Sequence, residues 1–197
     1  MGAMKTTNVA DEVLRAALEL FAAQGYANTS VQQIVKAAGV TKGAMYHYFT
    51  SKDDLLFAIY ERMLSLQKRR LDEIIAGGGA AEDVLRAVCE DVVVTSIEFL
   101  AEGTVFFRSQ HMLTPARLQE VKRRRREYHD QFAELLLRGQ REGVFRSDVP
   151  VSVLIAHFFS DVHYLSYWYS PEGPEDANEV AHHLTELFLR GIRRTDD

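Results

Sequence analysis

Eight residues between positions 29 and 52 have the chemistry of phosphate and base recognition. Lys42, Tyr46, His47 and Lys52 are hydrogen-bond donors, Thr29 and Thr41 stand where helices would begin, and Gly43 and Ala44 are small. A threonine at a helix N-terminus offers both a hydroxyl and a backbone N–H to a phosphate oxygen. Small residues let a helix backbone approach base edges, and an alanine methyl can meet a thymine methyl. On this geometry Lys42 and Ala44 are the base-reading candidates, while Thr29, Tyr46, His47 and Lys52 position the backbone. Spacing alone leaves a second reading open, in which Tyr46, Tyr48 and Phe49 fill a small core and the two lysines are solvated.

A second feature is the run Lys122, Arg123, Arg124, Arg125, Arg126. On a helix, five consecutive cations point to all sides. They either pair with carboxylates such as Glu120 and Glu127 or form the mouth of an anion site, since guanidinium grips phosphate bidentately. His157 and Asp161 stand four apart and His182 and His183 are adjacent, short of the three or four convergent ligands a metal needs, so neither metal nor cofactor is expected. No nucleophile elbow, phosphate loop or carboxylate pair stands out, and no catalytic residue is assigned. A binding protein is expected, not an enzyme. A helical partner-binding module is the non-regulatory alternative, and specific DNA binding separates the two.

The elements that must position these residues read as helices throughout. From Val9 to Gly25 apolar residues recur three or four apart, giving one buried face. Thr29 or Ser30 caps a second helix, with Gln32 and Gln33 at capping-box distance, and Gly39 breaks it in a tight turn. Thr41 caps a short third helix. Ser51 with Asp54 opens a long fourth helix running toward Ile75 and ending at the glycines 77–79. A five-turn helix follows to Phe99, then a short element through Phe106 to Leu113. Thr114 and Pro115 start another helix that stops near Gly143. The last two helices lie at 150–169 and 174–191. No segment reads as a strand, and the chain reads as eight or nine helices.

Composition agrees with a folded, water-exposed chain: 197 residues, 47% hydrophobic, 26% charged, net charge −5. DNA contact must therefore come from a local patch. Residues 1–60 carry five basic and five acidic side chains, and 61–197 carry 18 and 23, so the N-terminal part at least does not repel DNA. The single Cys89 excludes an intramolecular disulfide and fits a reducing cytoplasm. Without a leader or a long apolar run, a cytoplasmic protein with no membrane partner is expected. Met1, Gly2 and Ala3 before Met4 read as a cloning remnant or an alternative start.

Three helices with a glycine turn before the last form the helix-turn-helix arrangement, whose last helix enters the major groove. The stretch from Thr29 through Gly39, Thr41-Lys42-Gly43-Ala44-Met45-Tyr46-His47-Tyr48-Phe49 and Ser51-Lys52 to Leu55 resembles the DNA-binding signature of TetR-type transcriptional repressors. The resemblance runs from about Val9 to Leu56. It implies that Thr29, Tyr46, His47 and Lys52 contact the DNA backbone, that Thr41, Lys42 and Ala44 face the groove, and that Tyr48 and Phe49 lock the recognition helix. It further implies an all-α fold with a helix-turn-helix domain at 1–52 joined by a long helix to an effector-binding and dimerisation domain at 53–197. Repression by a dimer on double-stranded operator DNA, relieved by a small effector, is the family habit.

The effector and dimer sites have no such motif. Val92, Ser96, Phe99, Phe106, Phe107, Tyr128, Phe132, His163, Tyr164 and Tyr167, with Arg123, Arg124 and Arg125, supply aromatic walls, a few polar tips and cations for a hydrophobic effector. Leu154, His157, Phe158, Asp161 and Leu165, with Leu184, Leu187 and Phe188, supply a face for a four-helix bundle between two copies. The segment Trp168 to Gly173 and the ending Leu189-Arg190-Gly191-Ile192 are similar to family members that sense acyl-coenzyme A thioesters in lipid breakdown. An acyl-CoA is therefore the expected effector, with a multidrug-type or aromatic inducer as the alternative.

Overall fold

The computed structural model describes residues 8–194. The reading of residues 1–3 lies outside them. Nine α-helices and one short 3-10 turn make up the described chain, with an isolated bridge between Phe145 and Arg193 as its sole extended pairing. The expected all-α class holds.

The helices are α1 Val9–Gln24, α2 Val31–Ala37, α3 Lys42–Tyr48, α4 Lys52–Gly77, α5 Ala81–Glu98, α6 Leu100–Ser109, α7 Pro115–Arg141, α8 Val151–Trp168 and α9 Ala177–Ile192. Two compact units divide them. One comprises residues up to Arg62 together with Ala101–Glu120, and the other Met63–Leu100 with Val121 onward. Helices α4 and α7 supply residues to both.

In the first unit, Val13, Ala17, Ile34 and Met45 are fully buried where α1, α2 and α3 meet. Ser30 caps α2 by the reciprocal capping box with Gln33, which settles the Thr29-or-Ser30 alternative. Gly39 adopts φ 66° between α2 and α3, a left-handed turn that favours glycine. Ser51 Oγ accepts from Asp54 N at the start of α4, whereas the Asp54 carboxylate reaches Thr50 N at 3.0 Å rather than closing a box on Ser51. Segment 101–120 belongs to this unit because Phe106 stacks on Tyr60, ring centroids 3.7 Å apart, while Asp53 accepts from Thr114 and Asp54 pairs with Arg117.

In the second unit, α5, α8 and α9 enclose a core in which the rings of Phe132, Phe158 and Phe188 pack within 4.9–6.3 Å of one another. Ion pairs Arg86–Glu186 and Arg193–Glu82 tie α5 to the C-terminal helix and the residue after it. Gly139 has no side chain because the Phe145 ring occupies that space; an added Cβ would lie 2.1 Å from a ring carbon.

Candidate nucleic-acid interface and anion clefts

Helix α3 is anchored from behind by Met45 and Phe49, which are buried. Its other side presents Thr41, Lys42, Gly43, Tyr46 and His47 to solvent, with Ala44 half-buried at the edge. Thr41 Oγ1 accepts from Ala44 N at 3.1 Å, so the predicted cap is present. Lys42 Nζ lies 5.7 Å from the Tyr46 ring centroid, close enough for a weak cation–π attraction that keeps both on one side of the helix. A Cβ at Gly43 would meet no atom closer than 3.9 Å, so the fold itself does not require glycine there and the first turn is left open for close approach from outside. These five exposed residues form one donor-rich ridge, the arrangement expected of a groove-reading helix.

Three residues are placed otherwise. Thr29 is 2% exposed; its hydroxyl donates to Gly25 O at 2.9 Å and its backbone N–H to Tyr26 O at 3.3 Å, so neither is turned toward a phosphate. Lys52 Nζ donates to the carbonyl oxygens of Tyr26 and Thr29, 2.8 Å each, and lies 4.3 Å from the Tyr26 ring centroid. Burial pushes its pKa down. Lys52 thus fastens the turn between α1 and α2, a positioning role that type and spacing did not distinguish from phosphate contact. Tyr48, expected to lock α3, is 47% exposed beside His47, and Phe49 locks the helix together with Met45.

The cationic run on α7 divides between two clefts of the second unit. Arg123 and Arg124 line a cleft of about 480 Å³ between α4 and α7, floored by Tyr128. Its charges are largely matched: Lys68 pairs with Asp72, Arg123 with Glu127, and Arg124 Nη1 donates to Ser65 Oγ at 3.2 Å. Asp72 titrates below its usual range because Lys68 and Gln131 donate to it. On the other side of α7, Lys122, Arg125 and Arg126 line a larger cleft of about 750 Å³ against α8, with Asp130 as its one acidic lining residue. Ile155, Ala133 and Phe159 give this cleft an apolar wall, and the His129 ring packs on Phe159 with centroids 4.4 Å apart. Arg125 Nη2 approaches His163 Nε2 at 3.2 Å. Burial, then Arg125 and His129, push His163 down to about 4, and burial with Arg125 also lowers His129.

Within the second unit the expected effector residues do not line a single cleft: Arg123, Arg124 and Tyr128 line that against α4, and Arg125 and His163 that against α8. Val92 and Phe132 are buried in the second unit, Ser96 accepts from Gln67 at 3.2 Å, and Phe99 is half-buried. Phe106 and Phe107 belong to the first unit beside Tyr60. Tyr164 and Tyr167 are 59% and 71% exposed and stack on each other. The sequence placed Lys122 and Arg126 in the cationic run that could form an anion mouth, but it did not bring His129, Ile155 and Phe159 to the effector site. Helical phase was the available signal, because His129 follows Arg125 by four residues and His163 follows Phe159 by four.

The expected dimer face also needs correction. Leu154, Phe158, Leu165 and Phe188 are buried in the chain's own core, and Leu184 packs against it half-buried. His157, Asp161 and Leu187 are exposed. They are joined by Val153, Tyr164 and Trp168, at least half exposed, so that 153, 157, 161, 164 and 168 form a single stripe along α8. Helix α8 thus turns Leu154, Phe158 and Leu165 inward and presents Val153, Tyr164 and Trp168, with His157 and Asp161 among them, outward.

Residues 13–59 match the family model described as bacterial regulatory proteins, tetR family, and residues 78–192 match that of the tetracyclin repressor-like C-terminal domain. The HTH-type transcriptional repressor KstR2 of Rhodococcus jostii is 29% identical over 92% of this chain and 89% of its own. The solved ketosteroid regulator KstR2 of Mycobacterium tuberculosis superposes with TM-score 0.84 at 23% identity, covering 98% of this chain and 99% of that one. AibR, solved in complex with isovaleryl coenzyme A and operator DNA, has TM-score 0.77 at 23% identity over 91% of this chain and 97% of its own.

Proposed function

The chain belongs to the TetR family of bacterial regulatory proteins, and from that premise we propose that it is a dimeric repressor of a palindromic operator, released by an acyl-coenzyme A thioester. In this reading residues 1–52 are the DNA-binding domain and 53–197 the effector-binding and dimerisation domain. Helix α3 enters the major groove with Lys42 and Ala44 toward the bases and Tyr46 and His47 toward phosphates. Two-fold symmetry sets half-sites one helical turn, or a multiple, apart. Family members act by binding and not by turnover. Among the described residues no helix is long and apolar enough to cross a membrane, and the cytoplasm is where such a regulator meets its operator.

The observation that carries the effector reading is the α7–α8 cleft, which Lys122, Arg125 and Arg126 line from α7 and Phe159 and Ile155 from α8. Phosphates suit the first group and an acyl chain the second. The ligand named in the AibR complex is of this class. Effector binding favours a conformation that does not fit the operator, and by linkage the operator weakens effector binding by the same factor.

Fluorescence anisotropy of labelled operator DNA tests this, with long-chain, aromatic and steroid-derived acyl-CoAs titrated beside their free acids. Release by a thioester and not by its acid supports the proposal. The charge-matched α4–α7 cleft favours a second reading, a weakly charged aromatic inducer. Release by the free acid or a neutral aromatic alone would select it.

A further inference from the structure

Arg125 has only donors on its guanidinium, so its 3.2 Å contact to His163 Nε2 requires that nitrogen to be the acceptor and the imidazole to be neutral. A proton on Nε2 would set N–H against N–H and cation against cation. We infer that the α7–α8 cleft binds amphipathic anions with uptake of a proton by His163: the anionic head takes the Arg125 N–H, frees Nε2, and receives a second hydrogen bond from the protonated ring.

The surroundings support this balance. Facing His163 across the cleft, α7 presents Lys122, Arg125, Arg126, His129 and Asp130, a net cationic set in which one carboxylate is outnumbered. In the free protein burial and Arg125 hold His163 at about 4, so it is neutral near pH 7. An anion between Arg125 and His163 cancels the guanidinium field and replaces lost solvation, and both effects raise the histidine's proton affinity. Ser160 on α8 and the Phe159 ring complete the wall, the latter giving an alkyl tail somewhere to lie. Between the free and bound pKa values, binding strengthens as pH falls, by at most about tenfold per pH unit for one proton.

The inference rests on the α7–α8 cleft being the effector site but not on the effector being a thioester. The probe is n-octyl sulfate, whose head keeps a constant charge across the window, titrated calorimetrically into the full-length protein at pH 5 to 7 in pairs of buffers with different ionisation enthalpies. The expected result is an affinity that rises as pH falls, with buffer-dependent heats showing proton uptake that approaches one per site. Arg125→Leu should abolish binding, and His163→Gln, which keeps an acceptor for Arg125, should bind more weakly with no uptake and no pH dependence. Three results would overturn the inference: no binding, buffer-independent heats in the unsubstituted protein, or undiminished uptake in His163→Gln, which would move the proton to His129 or elsewhere. Proton-linked octyl sulfate binding without operator release by any thioester would defeat the proposed function and leave this inference standing. Thioester release with proton-independent binding would do the reverse.

Discussion

Lys52 Nζ donates to the carbonyl oxygen of Thr29 across 2.8 Å, so the first residue of α4 is tied to the residue before the cap of α2. With its matching bond to Tyr26, this fixes the turn from which α2, and through it α3, departs.

Lys52 and Lys42 should therefore fail differently. Lys52→Met removes two charge-assisted bonds and should lower stability by about 1–3 kcal/mol. Lys42→Met, on an exposed side chain, should leave stability within about 0.5 kcal/mol. Its cost should appear in operator affinity, at about 1–3 kcal/mol for a base-reading contact. Circular-dichroism melts beside anisotropy titrations separate the two. An unchanged melt for Lys52→Met would refute its positioning role.

Gly139 and Phe145 give a packing prediction. Gly139→Ala places a methyl group 2.1 Å from the Phe145 ring, which cannot shift without disturbing the core beneath it. Destabilisation of about 1–3 kcal/mol is expected from overpacking. Adding Phe145→Leu should recover part of it, as for two residues sharing one space. Simple additivity of the two losses in urea denaturation would contradict this account.

The helices, their caps and the three-helix head were legible because apolar spacing, Ser30, Thr41 and the glycine turns are local signals. Thr29 and Lys52 were not: Thr29 turns its hydroxyl back to Gly25 within its own turn, which its type does not announce, and Lys52 meets the carbonyl of the distant Tyr26, which is a tertiary fact. The cationic run was correctly expected to point several ways, but its division between two clefts depends on which helix lies on each side of α7. On α8 apolar residues stand on more than one side of the helix, so periodicity could not say which side is spent internally. Leu154, Phe158 and Leu165 face the core, and Val153, Tyr164 and Trp168 face out.

That outer stripe gives the third prediction. Leu187 is 71% and Tyr164 59% exposed, so arginine at either position costs the single chain little. In a bundle formed by α8 and α9 it would be buried without a partner. Leu187→Arg with Tyr164→Arg should convert a dimer to a folded monomer in sedimentation velocity and weaken operator binding. Persistence of the dimer would place the interface elsewhere.

His163 makes stability depend on pH. Its proton affinity in the folded chain is lowered, to a pKa of about 4 from the ordinary 6.5, so above pH 6.5 both folded and unfolded forms are neutral and nothing is lost. As pH falls from 6.5 to 4 the unfolded chain binds the proton first, and stability drops by on the order of 2–4 kcal/mol. His163→Gln should flatten that part of the profile in denaturant titrations at pH 7 and pH 5. An unchanged slope would mean that His163 is protonated in the folded chain.

The most direct test of a DNA-binding head coupled to an anion cleft is one anisotropy experiment comparing unsubstituted protein with Arg125→Leu on labelled operator. Both should bind the operator with the same affinity, and a long-chain acyl-CoA should release only the unsubstituted protein. Release of Arg125→Leu at the same thioester concentration would contradict the account.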